Sequence, residues 1–220
     1  LHIYKNISNK LNLLDIPNHL SVHKKITPTG AGIVFLIIFL LIIEISNIKE
    51  ILKINNPKNY YIFLLSIIFL TLMSFYDDLK KIHPVTRLFF QITIIFFCTT
   101  LFKTDLINIP IKLVIFFIIY FWVYIINIIN FTDGVDGFLT INSINFFLCI
   151  LIFYYINDIN NFIYFVSLTC LPILGAYLMF NKPNATLFMG DAGSIFLGFL
   201  IGFISIQLIL IERIDIVISL

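Results

Sequence analysis

Apolar residues fall along this chain in long blocks, and polar residues gather between them. Seven blocks stand out, at about 30–48, 60–76, 85–102, 111–130, 138–156, 162–180 and 194–211. Each approaches the roughly 20 mostly apolar residues that a helix needs to cross a bilayer. Residues 214–220 could begin an eighth. The pattern predicts an all-α, polytopic integral membrane protein with about seven transmembrane helices. The longest internal connection is about a dozen residues, which leaves no room for a soluble domain, and no repeat of fixed period is visible. The chain therefore reads as one membrane-embedded domain, 1–220. It begins at Leu1 and stops inside an apolar segment at Leu220, so it is expected to be a piece of a longer protein.

The polar segments at 1–29, 77–87, 127–137 and 181–193 are separated by two blocks each, so all four are expected on one side of the membrane. Residues 1–29 carry Pro17, Pro28, Gly30 and Gly32 and predict an ordered loop leading into the first visible span. Lys24, Lys25 and Thr29 lie just before that entry, where basic residues also serve as plain juxtamembrane anchors. Asp77 and Asp78 are adjacent like charges, which a surface turn has little reason to keep but a metal or phosphate site can use. Pro84 suits the first turn of the next span. Arg87 then shares a helix face with Gln91. Lys80 and Lys81 read as membrane-surface lysines.

The segment Asn127 to Gly137, N-I-I-N-F-T-D-G-V-D-G, interrupts the most apolar part of the chain. Ionisable residues at membrane depth are costly and usually have a task. Asn127, Asn130, Asp133 and Asp136 recur at every third position, which a continuous helix would spread over different faces. Gly134 and Gly137 could break the helix and let all four converge. An ordinary polar turn is the plainer alternative. Further on, Asp191 sits between Gly190 and Gly193, and Ser194 stands at a helix start whose free N–H groups favour an anion. Pro172 and Gly175 predict a kink in the sixth span. Ser194, Gly198 and Gly202 form a small-residue stripe of the kind that packs helices.

Composition narrows the class. The chain is 60% hydrophobic and 12% charged, with a formal net charge of +2 and a mean hydropathy of +1.03. Lys and Arg exceed Asp and Glu only by 14 to 12, which leaves no basic surface for nucleic acid. Eight of the 14 basic residues fall on the side of the polar motifs and six on the other, a bias that puts the motifs in the cytoplasm. The three cysteines lie in apolar runs without C-x-x-C spacing and read as buried thiols.

The first loop D-I-P-N-H-L-S-V-H-K-K-I-T-P-T-G-A-G, then F-Y-D-D-L-K-K, N-I-I-N-F-T-D-G-V-D-G and F-M-G-D-A-G-S-I-F-L-G occur in this order. Together they resemble the polyprenyl-phosphate N-acetylhexosamine-1-phosphate transferases, over about Leu14 to Gly202. The resemblance looks closest to the branch that starts O-antigen, teichoic acid or related glycans. The sister branch, which makes lipid I of peptidoglycan, is less similar in its first loop. It implies transfer of a sugar-1-phosphate from a UDP-sugar, with UDP-N-acetylglucosamine as the expected donor, to undecaprenyl phosphate, releasing UMP. Mg²⁺ is the implied cofactor, with Mn²⁺ able to replace it, and Asn130 and Asp191 match its ligand positions. Asp77 and Asp78 match the catalytic pair. Lys24, Thr29, Arg87, Asn127, Asp133 and Asp136 match substrate-binding positions. The implied setting is the bacterial inner membrane, with the site facing the cytoplasm. The sugar and the oligomeric state stay open, a homodimer being one option.

Three features depart from the family pattern, the first being that family members begin with one more span before Leu1. The family's triple glycine is Gly30, Ala31, Gly32 here, and a histidine-rich loop expected after a later span is not in the sequence. Tyr76-Asp77 and Gly190-Asp191 also echo intramembrane aspartyl proteases. That alternative lacks the first glycine of G-x-G-D, Phe188 standing there, and leaves Asn127, Asn130, Asp133 and Asp136 unexplained. An ion-coupled transporter would place its polar residues near the midplane of repeated helices.

Overall fold

The computed structural model describes residues 1–11, 13–17, 25–45, 57–102, 110–158 and 161–211. Among these, six helices are long and apolar enough to cross a membrane: α3 (Pro57–Lys80), α4 (Pro84–Cys98), α5 (Ile111–Thr132), α6 (Phe138–Ile156), α7 (Phe162–Asn181) and α8 (Gly190–Ile211). A 3₁₀ turn, Thr99–Leu101, continues α4. A shorter apolar helix, α2 (Gly32–Ile45), falls in the first predicted block, whose last residues lie outside the described ones. The protein is an all-α polytopic membrane protein.

The N-terminal segment is more than the expected loop. It forms helix α1 (His2–Lys10) and a short antiparallel ladder of β1 (Leu14–Asp15) with β2 (Thr27–Pro28), in register Leu14 to Pro28 and Asp15 to Thr27. The helix is mostly polar, and tertiary bonds hold it down: the Tyr4 and Ser8 hydroxyls each donate to the Thr29 carbonyl at 3.1 Å. Elsewhere α3 runs past its apolar block to Lys80, which puts Asp77 and Asp78 on its last turn. Pro172 sits inside α7, and the helix continues through it to Asn181.

Helix α8 is the hub. Its apolar window is 72% buried, against 22–44% for the other five long helices, and it packs on α2, α3 and α5. Helices in lipid gain little from apolar contact alone, so close approach and hydrogen bonds carry much of their association. Gly198 and Gly202 supply the approach. A Cβ on Gly198 would lie 2.8 Å from the Ile126 Cα, and one on Gly202 would lie 2.3 Å from the Trp122 ring. The Trp122 indole stacks on Phe199, with centroids 4.9 Å apart, and its Nε1 donates to the Phe199 carbonyl at 3.0 Å. The outer faces of α4 and α5 remain apolar and exposed (Phe89, Phe97, Phe116, Tyr120, Tyr124), as a lipid-facing perimeter requires.

Candidate active site

The polar end of the bundle is built around the start of α8. A helix leaves its first N–H groups without intrahelical partners. Here a carboxylate from another helix takes two of them: Asp78 Oδ1 accepts from the Asp191 N–H at 2.9 Å and Oδ2 from the Ala192 N–H at 3.2 Å. The anion expected at this helix start is therefore supplied by the protein itself. Asp78 stands on the last turn of α3, where the helix dipole disfavours a carboxylate, and the positive end of α8 offsets that cost. The junction leaves no room for side chains. Gly190 has φ +71, and a Cβ there would lie 2.6 Å from Asp78 Oδ2; a Cβ on Gly32 would lie 1.9 Å from the Gly193 nitrogen.

Asp77 is one residue earlier, turned by about 100°, and is buried at 5% exposure. Its Oδ1 accepts from the Ile82 N–H, and its Oδ2 lies 3.2 Å from Arg87 Nη1. Arg87 projects from the start of α4, where Pro84 takes the first turn as expected and His83 caps it by accepting from the Val85 N–H. The same Nη1 lies 2.8 Å from Asp191 Oδ2. One guanidinium thus joins α3, α4 and α8. Lys81 closes the α3–α4 turn with φ +48, and its charge acts on both Asp78 and Asp191.

The four residues spaced by three do not converge. Helix α5 stays regular to Thr132, and its side chains fan out. The Asn127 amide donates to Gln91 Oε1 at 2.8 Å and to its own helix at Val123, so it faces α4. Asn130 turns to α8, where its Oδ1 accepts from the Ser194 hydroxyl at 2.6 Å. Asp136 accepts from the Ala185 N–H at 3.0 Å and ties the α5–α6 turn to the α7–α8 connection. Asp133 is half-buried as a residue, but its carboxyl lies deep among protein atoms. Burial holds that carboxyl well above the usual carboxylate range, and the charges of Asp191, Asp78 and Asp15 push the same way.

The first loop completes this end. The Thr29 carbonyl is the acceptor for Tyr4 and Ser8, and the Ala31 and Gly32 N–H groups donate to the Phe188 and Met189 carbonyls. Ala31 is fully buried, so the middle position of the former triple glycine accommodates a methyl group. Lys24, the other first-loop residue expected here, lies outside the described residues. The structure thus gathers Thr29, Asp77, Asp78, Arg87, Asn130, Asp133 and Asp191 at one end and sets Asn127 and Asp136 on its flanks.

Sequence reasoning missed Asn181, Tyr4 and the electrostatic reach of Lys81. Asn181 is buried, and its Oδ1 accepts from the Gly137 N–H and the Thr140 hydroxyl. An amide ending an apolar span was its one signal. Spacing of i, i+4 was the weak signal for Tyr4 and Ser8. Burial raises the Tyr4 phenol well above its ordinary range, and the Asp78 charge adds to the rise.

Among the described residues no three His, Cys, Asp or Glu side chains are close enough to hold a metal unaided. Mg²⁺ asks for less: it usually takes one or two protein oxygens, with water and substrate phosphates completing the shell. The half-open Asp191 carboxylate and the Asn130 amide oxygen, both hard oxygen donors at the start of α8, fit that demand.

The molecule is thus a membrane protein with a carboxylate-rich site assembled from several helices at one end of its bundle. Residues 60–209 match glycosyl transferase family 4, and the chain belongs to that family. It is similar to the phospho-N-acetylmuramoyl-pentapeptide-transferase of Sulfurimonas denitrificans, at 30% identity over 82% of this chain and 60% of that protein. The enzymes of the same name from Streptococcus uberis (32% identity, 88% and 62%) and Staphylococcus saprophyticus (33%, 83% and 62%) are similar too. The chain therefore spans about three fifths of the length of these curated relatives. They carry the name of the sister branch, not of the one that the first loop resembles. Family membership leaves the protease and transporter alternatives without support, and between Asp77 and Asp191 stands a guanidinium.

Proposed function

We propose that the protein to which this chain belongs transfers an N-acetylhexosamine-1-phosphate from a UDP-sugar to undecaprenyl phosphate at the cytoplasmic face of a bacterial inner membrane. An oxygen of the lipid phosphate attacks the phosphorus attached to the sugar, the bond from that phosphorus to the UMP oxygen breaks, and UMP leaves. Residues 1–220 act as a single membrane-embedded unit in this reading. The observation that carries it is the junction of Asp77, Asp78, Arg87 and Asp191, where three helices meet at the polar end of the bundle. Two anionic phosphates must meet there, one from solution and one anchored in lipid.

Arg87, held by Asp77, offers its guanidinium to the acceptor phosphate. Asp78 positions the start of α8 and so aims Asp191. Asn130 and Asp191 would hold Mg²⁺ or Mn²⁺, which neutralises charge building on the pyrophosphate as its bond breaks. By resemblance Lys24 and Thr29 serve the pyrophosphate from the first loop, Asp133 and Asp136 serve the nucleotide-sugar, and Asn127 adds a further substrate contact. UDP-N-acetylglucosamine is the proposed donor on the strength of the first loop. The names of the similar enzymes favour UDP-N-acetylmuramoyl-pentapeptide as the second donor to test.

The test follows radiolabelled sugar from each UDP-donor into undecaprenyl lipid, with UMP as co-product, using full-length protein. Transfer is expected to stop with EDTA, return with Mg²⁺ or Mn²⁺, and fall by roughly 10²–10⁴-fold in Asp191→Asn. Full activity in Asp191→Asn, or no UMP with either donor, would overturn the reading.

A further inference from the structure

Both oxygens offered to the metal are covered by a hydrogen-bond donor that already has a second acceptor within reach. Asp191 Oδ2 is held by Arg87 Nη1 at 2.8 Å, and the same nitrogen lies 3.2 Å from Asp77 Oδ2. Asn130 Oδ1 is held by the Ser194 hydroxyl at 2.6 Å, and that hydroxyl lies 3.3 Å from the carbonyls of both Gly190 and Asp191. We propose that Arg87 and Ser194 are exchangeable caps on the metal ligands: a divalent cation takes Asp191 and Asn130, while Arg87 falls back on Asp77 and Ser194 on its own helix. The proposal rests on the metal placement given under Proposed function and adds what the chain's own donors do when that place is filled.

Three features favour the exchange when a cation enters. The fallback for Arg87 is the firmer anchor: the Asp77 side chain is 7% exposed, and its other oxygen is fixed by the Ile82 N–H, whereas the Asp191 side chain is 31% exposed. The bond that must open therefore lies on the side a hydrated ion can reach. Next, Asp191 shares its surroundings with Asp77 and Asp78, and a dication answers these carboxylates better than one guanidinium does. Finally, the hydroxyl of Ser194 needs only to turn its O–H from Asn130 to the carbonyls of the preceding turn, already within 3.3 Å, a bond that serines in helices commonly make. No donor is stranded in either state. That matters because Ser194 is fully buried and could not turn to water instead.

The exchange has a further result for Arg87. Released from Asp191 but tethered by Asp77, the guanidinium stays at the site with donor capacity for a phosphate. Cation entry and readiness for the acceptor phosphate are thereby linked through one side chain.

The experiment measures Mn²⁺ affinity of full-length, detergent-solubilised protein from the loss of the free-ion electron paramagnetic resonance signal, without substrate. Arg87→Met should bind Mn²⁺ roughly tenfold more tightly than wild type, because the ion no longer displaces a bonded cation. Lys81→Met is the control. It removes a charge that also acts on Asp191 but is not among the ion pairs of the described residues, and its affinity should change less than about threefold. Equal gains in the two variants would mean that only the general field matters and would overturn the exchange. Ser194→Ala keeps the test open where Arg87→Met fails to fold: tighter Mn²⁺ binding supports the proposal, and weaker binding, which would make Ser194 a ligand, sinks it. Asp191→Asn must weaken binding. If it does not, the metal placement itself is wrong, and that failure is distinct from an Arg87→Met variant that merely matches its control.

Discussion

Adjacent aspartates at the end of one helix have been given unlike surroundings. Both oxygens of Asp78 receive backbone N–H groups of α8, which cannot reorient, whereas Asp77 receives one backbone N–H and one mobile guanidinium. An amide in place of Asp78 would turn an NH₂ group toward a backbone donor and strand it. Asp78→Asn should therefore lower the stability of the folded protein by about 1–3 kcal/mol as well as its activity. Asp77→Asn can keep the Ile82 bond through its remaining oxygen, and Arg87 keeps Asp191. Its loss should fall on turnover, with a smaller change in melting temperature. Thermal unfolding and transfer rates measured side by side check this; equal destabilisation by the two variants would contradict the capping role of Asp78. The pairing of Asp77 and Asp78 was visible in the sequence as a sign of chemistry. Their division of labour was not, because backbone N–H groups brought in from residues 191 and 192 decide it.

Among the elements, the helix pair α5–α8 shows which glycines matter. Gly198 faces the backbone of Ile126, so the neighbour cannot swing aside, whereas Gly175 on α7 has nothing within 4 Å of an added Cβ. Gly198→Ala is expected to cost about 1–3 kcal/mol through overpacking. Gly175→Ala should be neutral or stabilising by up to about 1 kcal/mol, since alanine is the better helix former. Thermal melts of the two variants in the same detergent decide the matter, and an unharmed Gly198→Ala would remove the close-packing account. The Ser194, Gly198, Gly202 stripe was legible as a packing surface from its spacing alone. Helix ends were legible where apolar runs end sharply: α6 and α7 begin and end within a residue of their expected limits. They were not legible where a helix outlasts its apolar block, as α3 does through Asp77 to Lys80, nor for α1, whose polar residues are ordered by hydroxyls reaching Thr29.

At the scale of the molecule, four polar segments separated by pairs of spans come to one end, and the bonds from Asp78 to Asp191, Asp136 to Ala185, Asn130 to Ser194 and Pro28 to Phe188 hold them together there. Single cysteines placed at Lys80, Val135 and Ala185 should react with an impermeant reagent from one side of the membrane, and one placed at Asp158 from the other. Labelling of two motif positions from opposite sides would contradict a single site. Apolar run lengths made this arrangement legible, whereas the burial of α8 depends on which helices it meets and left no mark in hydropathy. The hub position of α8 also bears on how the protein is made. Chains enter the membrane from the N-terminus, and α8 follows α2, α3 and α5, the helices that enclose it. During synthesis those three must wait in the lipid with their future contact surfaces unfilled. For that interval Asp78 has neither of its N–H partners, and Arg87 has Asp77 but lacks Asp191. Closure of the bundle around its hub thus waits until α8 leaves the ribosome, although pairs such as α6 with α7 and α3 with α4 can pack before it.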